Sequence, residues 1–225
     1  NQISSLIMQG KLKVDGQVVT KPGQLIADTA LLQLAIEQPK YVSRAGFKLE
    51  GALQYFQINV HNLVVLDAGI STGGFTDCLL QYGAKKVYGV DVGYGQVHEK
   101  IATDPRVIVM ERTNLRELTS LPEPVDLVTL DLSFISVLKV LPAVLQLMQP
   151  TAHLLILIKP QFEAGRGLVG RGGIVLDEQV RATVVQQVVA GVQALGLRSL
   201  GVCPSPITGT MGNQEFLAYF ARAEY

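Results

Sequence analysis

The chain has 225 residues, enough for one ordinary domain with a small appendage, and nearly half of them are apolar, so a large core can be buried. Its 19 basic and 19 acidic side chains balance, so no overall charge draws the protein to nucleic acid or to a membrane surface. Two cysteines are too few for a disulfide framework. We therefore interpret Cys78 and Cys203 as core residues of a cytoplasmic protein in a reducing compartment.

The sequence predicts neither a metal site nor a membrane-spanning segment. The three histidines are widely spaced, which argues against a metal site. No apolar stretch reaches the ~18 residues of a membrane span, so we expect no membrane association.

The first 38 residues are typical of a small β-rich unit. Gly10 ends a short helix, an Asp-Gly turn joins two strands, and "ALLQLAI" supplies a third strand. This segment is too short for an independent core, so we expect an appendage. Residues 39–44 are predicted to be a linker, and residues 45–225 the main domain.

The main domain shows apolar runs that alternate with helical segments. The expected helices cover residues 44–56, 74–82, 134–147 and 177–195. The expected strands are "LVVLD", "KVYGVD", "VIVM", "VDLVTLD", "HLLILIK", "RSLGVCPS" and "EFLAYFAR". This alternation predicts a Rossmann-like, doubly wound α/β sheet with helices on both faces. We expect its last strand to be antiparallel.

Four of the apolar runs end in a charged residue: Asp67, Asp91, Asp131 and Lys159. The carboxyl ends of parallel strands meet at one edge of a sheet, and ligands bind beyond that edge. A single charge of this kind can be an ordinary loop residue. Four together favour a binding site, because a buried strand has no structural use for a terminal charge.

The loop "GISTGG" after Asp67 allows a ligand to approach the backbone closely. Its spacing differs from the dinucleotide pattern G-x-G-x-x-G, and no P-loop lysine follows, so a pyrophosphate is not expected there. Asp91, at the end of the next run, suits the hydroxyls of a ribose. Asp67 offers a carboxylate to a cationic group. S-adenosylmethionine, a nucleoside with an ammonium and a sulfonium, fits both residues better than a dehydrogenase cofactor does.

Two more charged residues can reach the same edge. Lys48 lies one turn into the first long helix, and Glu215 begins the last apolar run, whose start faces the edge if that strand is antiparallel. With Asp131 and Lys159 they would form a coupled network of two amines and two carboxylates. An amine in such a network can take the proton of a weakly acidic hydroxyl. The alternative is that Lys48 and Glu215 are surface charges.

The loop after Asp131 narrows the choice of methyl acceptor. It reads "DLSF" and lacks the Pro-Pro pair typical of amino-group methylation, and neither cysteine is placed for carbon methylation, so a ribose hydroxyl is the better target. Phe134 and Phe162 either stack on a base or pack in the protein. Arg166 and Arg171, in a glycine-rich segment, either bind RNA phosphates or lie in a mobile solvated loop.

Six ordered motifs resemble the TlyA/hemolysin A family of ribosomal-RNA 2′-O-methyltransferases, which have an FtsJ-type catalytic domain. They are "YVSRAGFKLEGAL", "LDAGISTGGFTDCLL", "VDLVTLDLSFIS", "LLILIKPQFE", "GRGGIVLD" and "GTMGNQEFL". The resemblance covers essentially the whole chain. It implies S-adenosylmethionine as the methyl donor and ribosomal RNA or ribosomal subunits as the partner.

The resemblance also implies roles for individual residues. The catalytic tetrad would be Lys48, Asp131, Lys159 and Glu215, with Lys159 as the central base. The donor site would comprise Asp67, Gly69, Ser71, Thr72, Gly73, Gly74, Phe75, Asp91, Asn114 and Asp131. Asn114 would lie near the adenine. Residues 1–38, through "MQGKLKVDGQVVTKPG", resemble the carboxyl part of a small RNA-binding domain shared with a small-subunit ribosomal protein.

Two other functions compete with this reading. A membrane-lytic protein is suggested only by the historical family name, because the sequence has no cationic amphipathic stretch. A catalytically inactive RNA-binding scaffold is the second alternative, and the intact tetrad argues against it.

Overall fold

A computed structural model describes residues 2–35 and 39–222 of the chain. It divides them into two compact units, one ending at Lys40 and one beginning at Tyr41.

Residues 41–44, assigned to a linker from the sequence, lie in the second unit. The Tyr41 side chain is buried, and the backbone N–H of Val42 donates to the Asp77 carboxylate at 2.8 Å. A buried aromatic ring and a partly buried hydrogen bond therefore hold this segment within the second unit.

The first unit contains one helix and a three-stranded antiparallel sheet of order β2-β1-β3. Its elements are α1 (Gln2–Met8), β1 (Leu12–Val14), β2 (Gln17–Val19) and β3 (Leu32–Leu34). Asp15 and Gly16 both have positive φ, which matches the twist of a two-residue hairpin. The expected helix end and three strands are present, although residue 36 of the expected third strand lies outside the described residues.

The second unit is built on a seven-stranded sheet of order β6-β5-β4-β7-β8-β10-β9. Its strands are β4 (Val64–Ala68), β5 (Lys86–Val90), β6 (Val107–Met110), β7 (Val125–Leu130), β8 (Met148–Ile158), β9 (Leu197–Pro204) and β10 (Phe216–Arg222). Strands β4 to β8 pair in parallel, and β10 is antiparallel to both neighbours. The predicted Rossmann-like sheet with an antiparallel last strand is confirmed.

Helices cover both faces of this sheet. They are α2 (Ala45–Tyr55), α3 (Gly74–Gln81), α4 (Glu99–Ala102), α5 (Leu141–Leu147), α6 (Pro160–Glu163) and α7 (Glu178–Ala194). Neighbouring residues of a strand point to opposite faces, so Val65 packs in the cluster formed with α2 and α3, and Leu66 in the cluster formed with α5 and α7. Cys78 and Cys203 are buried free thiols.

The helix expected over residues 134–147 is the main error in the predicted elements. A 3₁₀ turn occupies Val137–Lys139, and α5 begins only at Leu141. Pro142 lacks a backbone N–H and is tolerated only in the first turn, so it fixes the start of α5. The preceding residues are therefore free to form a loop above the sheet edge.

None of the helices in residues 2–35 and 39–222 combines the length and the apolar character that crossing a membrane requires.

Candidate active site

The strand register brings three of the four predicted terminal charges to one edge. Ala68 pairs with Val90 and with Leu130 in the parallel ladder, so Asp91 and Asp131 follow their strands at the same level, one on each side of β4. Lys159 follows β8, the next strand. Asp67 differs, because β4 continues through it to Ala68.

A cavity of about 390 Å³ opens at this edge. Five predicted donor residues line it: Gly69, Ser71, Asp91, Asn114 and Asp131. Its volume falls within the range of roughly 300–1,000 Å³ typical of small-molecule sites. Gly69, at φ 87°, is required at the rim, because a Cβ there would lie 2.4 Å from the carbonyl oxygen of Asp131.

The Asp91 carboxylate is held by two backbone donors. Ser71 N–H donates to one oxygen at 2.9 Å and Gly93 N–H to the other at 2.7 Å. These bonds orient the carboxylate into the cavity and leave further lone pairs on both oxygens. The geometry therefore suits an acceptor of two ribose hydroxyls.

We expect Asp91→Ala to weaken S-adenosylmethionine binding by ~1–3 kcal/mol, since it removes one or two hydrogen bonds to a charged group. Isothermal calorimetry on the wild type and the variant measures the change. Asp104→Ala, which removes an acid after α4 that pairs with Arg106, is a matched control. Equal affinity of wild type and Asp91→Ala would remove Asp91 from the donor site.

The remaining predicted donor residues of the glycine loop are not among those that line the cavity. Gly73 and Gly74 are buried at the start of α3, where a Cβ on Gly74 would lie 2.1 Å from the Ser43 hydroxyl oxygen. Phe75 packs in the core on the α3 side. Thr72 is exposed, and its carbonyl accepts the His98 N–H at 3.1 Å. The structure gives these residues a role in shaping the loop.

Asp67 is fully buried between two hydroxyls. Thr76 donates to its carboxylate at 2.6 Å and Thr129 at 3.0 Å. Asp67 thus ties β4 to the first turn of α3 and to β7. Its predicted contact with a cationic group of the donor stays a prediction. Burial raises the pKa of Asp67 to about 6, although both hydroxyl hydrogen bonds act to lower it.

This raised pKa predicts a pH effect on stability. Protonation of Asp67 stabilises the folded state fully below its ordinary pKa of 3.8, and that contribution is lost as pH rises through about 6. The shift corresponds to roughly 3 kcal/mol. Urea unfolding of wild type and Asp67→Asn should therefore show the stability difference moving in favour of the variant between pH 4 and pH 7. A difference that stays constant over this range would contradict the prediction.

The four residues of the predicted tetrad form two ion pairs. Lys48, on α2, pairs with Glu215, and both side chains are buried. Lys159 Nζ lies 2.6 Å from Asp131 Oδ1. Phe216 is opposite Ile158 in the antiparallel ladder, so Glu215 and Lys159 are the next residues on neighbouring strands. The antiparallel β10 thus brings the two pairs to the same edge.

Sequence reasoning did not single out Ser133 and two other polar residues at the cavity. The Ser133 hydroxyl accepts a hydrogen bond from Lys159 Nζ at 2.9 Å. Gln96 and Thr113 also line the cavity. Two of these residues could have been found because they are close in sequence to predicted site residues. Thr113 precedes Asn114, and Ser133 follows Asp131 by two positions.

An aromatic pair lies beside Lys159. Phe134 is 90% exposed, and its ring centroid is 4.9 Å from that of Phe162. Lys159 Nζ is 6.0 Å from the Phe162 ring centroid. Phe134 therefore presents its ring to solvent at the mouth of the site, which removes core packing as its role.

The glycine-rich segment is tied to the strand that carries Glu215. The Asn213 side chain donates to the Gly173 carbonyl at 2.9 Å and accepts the Val175 N–H at 3.1 Å. Gly170 N–H donates to the Ile174 carbonyl. Arg171 is exposed in this segment. Within residues 2–35 and 39–222, no three His, Cys, Asp or Glu side chains cluster as metal ligands would.

Comparison with known proteins matches residues 41–222 to the FtsJ-like methyltransferases. TlyA of Mycobacterium tuberculosis, a 16S/23S rRNA (cytidine-2'-O)-methyltransferase, is 47% identical over 97% of this chain and 82% of its own length. A solved Lactococcus lactis structure is 41% identical, with a TM-score of 0.80, covering 83% of this chain and 90% of that one. An S-adenosylmethionine-dependent methyltransferase from Mesorhizobium loti shares the fold at 17% identity and a TM-score of 0.57, over 78% of this chain and 98% of its own.

The sheet order, the cavity beyond the parallel strands and these matches define a methyltransferase of the S-adenosylmethionine-dependent class. Within that class, the chain belongs to the FtsJ-like methyltransferases, in the TlyA/hemolysin A family.

Proposed function

We propose that this protein transfers a methyl group from S-adenosylmethionine to the 2′-hydroxyl of a ribose in ribosomal RNA. The observation that carries the proposal is the Lys159–Asp131 ion pair at the wall of the donor cavity, with the buried pair that Lys48 of α2 forms with Glu215, the residue before β10. The name of the M. tuberculosis relative, a cytidine-2'-O-methyltransferase of rRNA, supports this choice of acceptor.

The cavity residues suit the donor. Asp91 would accept the ribose hydroxyls, and Asn114, on the same cavity wall, would lie beside the adenine. Asp131 and Ser71 also line this cavity. S-adenosylmethionine supplies an electrophilic methyl group when bound.

Lys159 would act as the base. The acceptor hydroxyl oxygen forms the new C–O bond, its proton passes to Lys159 Nζ, and the C–S bond of the donor breaks. Asp131 and Ser133 each contact Nζ and would hold the amine in place during this transfer. The buried Lys48–Glu215 pair would contribute no net charge beside Lys159 and would hold the floor of the site rigid.

RNA would reach the site over the aromatic pair. Phe134 and Phe162 offer an exposed face on which a base can stack. Arg171 can contact phosphate from the glycine-rich segment. We assign residues 1–38 to RNA binding, residues 45–225 to catalysis and the action of the protein to the cytoplasm, where ribosomes are made.

The direct test is incubation of purified 30S and 50S subunits with the protein and isotope-labelled S-adenosylmethionine, followed by mapping of the labelled nucleotide. We expect label on a ribose 2′-oxygen in 16S or 23S rRNA. Label on a base, or none with either subunit, would overturn the proposal.

Vesicle leakage and subunit labelling, measured on the same purified protein, distinguish the two competing functions. A lytic protein would release dye from lipid vesicles without donor, whereas we expect no leakage. An inactive scaffold would bind ribosomal subunits and leave them unlabelled.

A further inference from the structure

Glu163 is a partly buried acid with no place in the proposed chemistry. It ends α6, the short helix that directly follows Lys159. Its Oε1 accepts the backbone N–H of Val137 at 2.8 Å, and the Ser136 side chain also hydrogen-bonds to it. Burial raises the pKa of Glu163, and these two hydrogen bonds oppose the shift. A carboxylate held this way contacts a different loop from its own.

The contacted loop, residues 131–137, leads from Asp131 to the 3₁₀ turn at Val137. It carries Ser133, which accepts a hydrogen bond from Lys159, and Phe134, which has φ 65° and packs on Phe162. A non-glycine residue at this φ is strained and persists only when the surrounding structure holds it. The Glu163 bond at the far end of the loop supplies such a restraint.

We propose that Glu163 is a positioning residue that fixes the loop at residues 131–137 above Lys159 and so aims the lysine amine. This inference rests on the proposed role of Lys159 as the base. A neutral amine has two N–H donors and one lone pair. Ser133 accepts one N–H group, and the Asp131 carboxylate lies 2.6 Å from Nζ, so these two contacts limit the direction left for the lone pair, which is where the acceptor hydroxyl must lie.

The loop at residues 131–137 lines one part of the donor cavity, and the segments that carry Asp91 and Ser71 line another part. Ser71 and Gly93 hold Asp91 through backbone bonds that do not involve the loop at residues 131–137. Loosening this loop should therefore affect the methyl-transfer step more than donor binding. A larger effect on methyl transfer than on donor binding would distinguish a positioning role from a general structural role.

The first experiment compares Glu163→Ala, Glu163→Gln and the control Glu178→Ala, whose acid is exposed at the start of α7. Glu163→Ala should lower kcat for ribosomal RNA by about tenfold or more, because small misplacement of a reacting group is costly. The KM for the donor should change by a smaller factor than kcat, because the backbone bonds that hold Asp91 stay in place. Glu163→Gln retains an acceptor for the Val137 N–H and should recover most of the kcat, while Glu178→Ala should match wild type.

The second experiment is a double-mutant cycle with Ser133→Ala. If Glu163 acts through the loop that carries Ser133, the kcat of the double variant should fall little below that of the worse single variant. Losses that multiply would show independent action and overturn the inference.

A third measurement does not depend on activity. The chain contains no tryptophan, so Phe134→Trp introduces a single fluorescent reporter on the loop. Its anisotropy should drop when Glu163→Ala is added and stay unchanged with Glu178→Ala. If the wild type fails to methylate ribosomal RNA but the reporter loosens, the proposed function fails while the restraint stands. Unchanged anisotropy and unchanged kcat in Glu163→Ala would refute the inference alone.

Discussion

Lys159→Ala is expected to lower kcat for methyl transfer to ribosomal RNA by ~10²–10⁴-fold, the usual contribution of a positioned general base. Donor affinity should change little, because Asp91 and the glycine loop hold the opposite part of the cavity. Single-turnover transfer of labelled methyl groups measures the first quantity, and calorimetry the second.

Lys159→Arg separates the charge of the lysine from its capacity as a base. Arginine retains a cation opposite Asp131 but is not deprotonated in proteins. We expect Lys159→Arg to be as impaired as Lys159→Ala. A Lys159→Ala protein that methylates at the wild-type rate would exclude Lys159 as the base, and an active Lys159→Arg protein would show that only its charge is needed.

Glu215→Ala is expected to destabilise the second unit by about 3–5 kcal/mol, the cost of leaving a buried charge without its partner. The residue left behind is Lys48, whose side chain is 9% exposed in the pair. Urea unfolding monitored by circular dichroism measures the loss. The same variant should have no measurable methyl transfer at temperatures where it remains folded.

A paired replacement, Lys48→Met with Glu215→Leu, provides the control for this second prediction. Apolar side chains of similar volume often replace a buried ion pair with no loss of stability. We expect the double variant to regain most of the free energy of unfolding and to remain inactive. A Glu215→Ala protein within about 1 kcal/mol of wild type would show that the pair is effectively solvated.

Local sequence patterns were sufficient to predict much of the architecture and part of the candidate site. The alternation of apolar runs and helical segments predicts the layered sheet, because the residue patterns of strands and of helices can both be read from short windows of the chain. Asp91, Asp131 and Lys159 reach the shared edge because each directly follows a buried strand. Asp67 ends an equally apolar run, but Ala68 can extend a strand at no cost, and that one extra residue buries Asp67.

Contacts between distant loops could not be predicted in the same way. Lys48 and Glu215 are 167 positions apart. The expected antiparallel last strand made their association possible, and the resemblance to a known family favoured it over surface positions. The bonds from Lys159 to Ser133 and from Glu163 to Val137 depend on how two loops fold over each other. Such contacts follow from tertiary packing, which has no local signature.

The position of β10 links the order of synthesis to the onset of activity. This strand lies between β8 and β9 although both precede it in the chain. A nascent chain that ends before residue 215 lacks both Glu215 and the strand that pairs with β8 and β9. If Glu215 serves the reaction as proposed, activity begins only after this part of the sheet has been made. Any product truncated before residue 215 should then be both inactive and prone to pair its open strand edges with other chains.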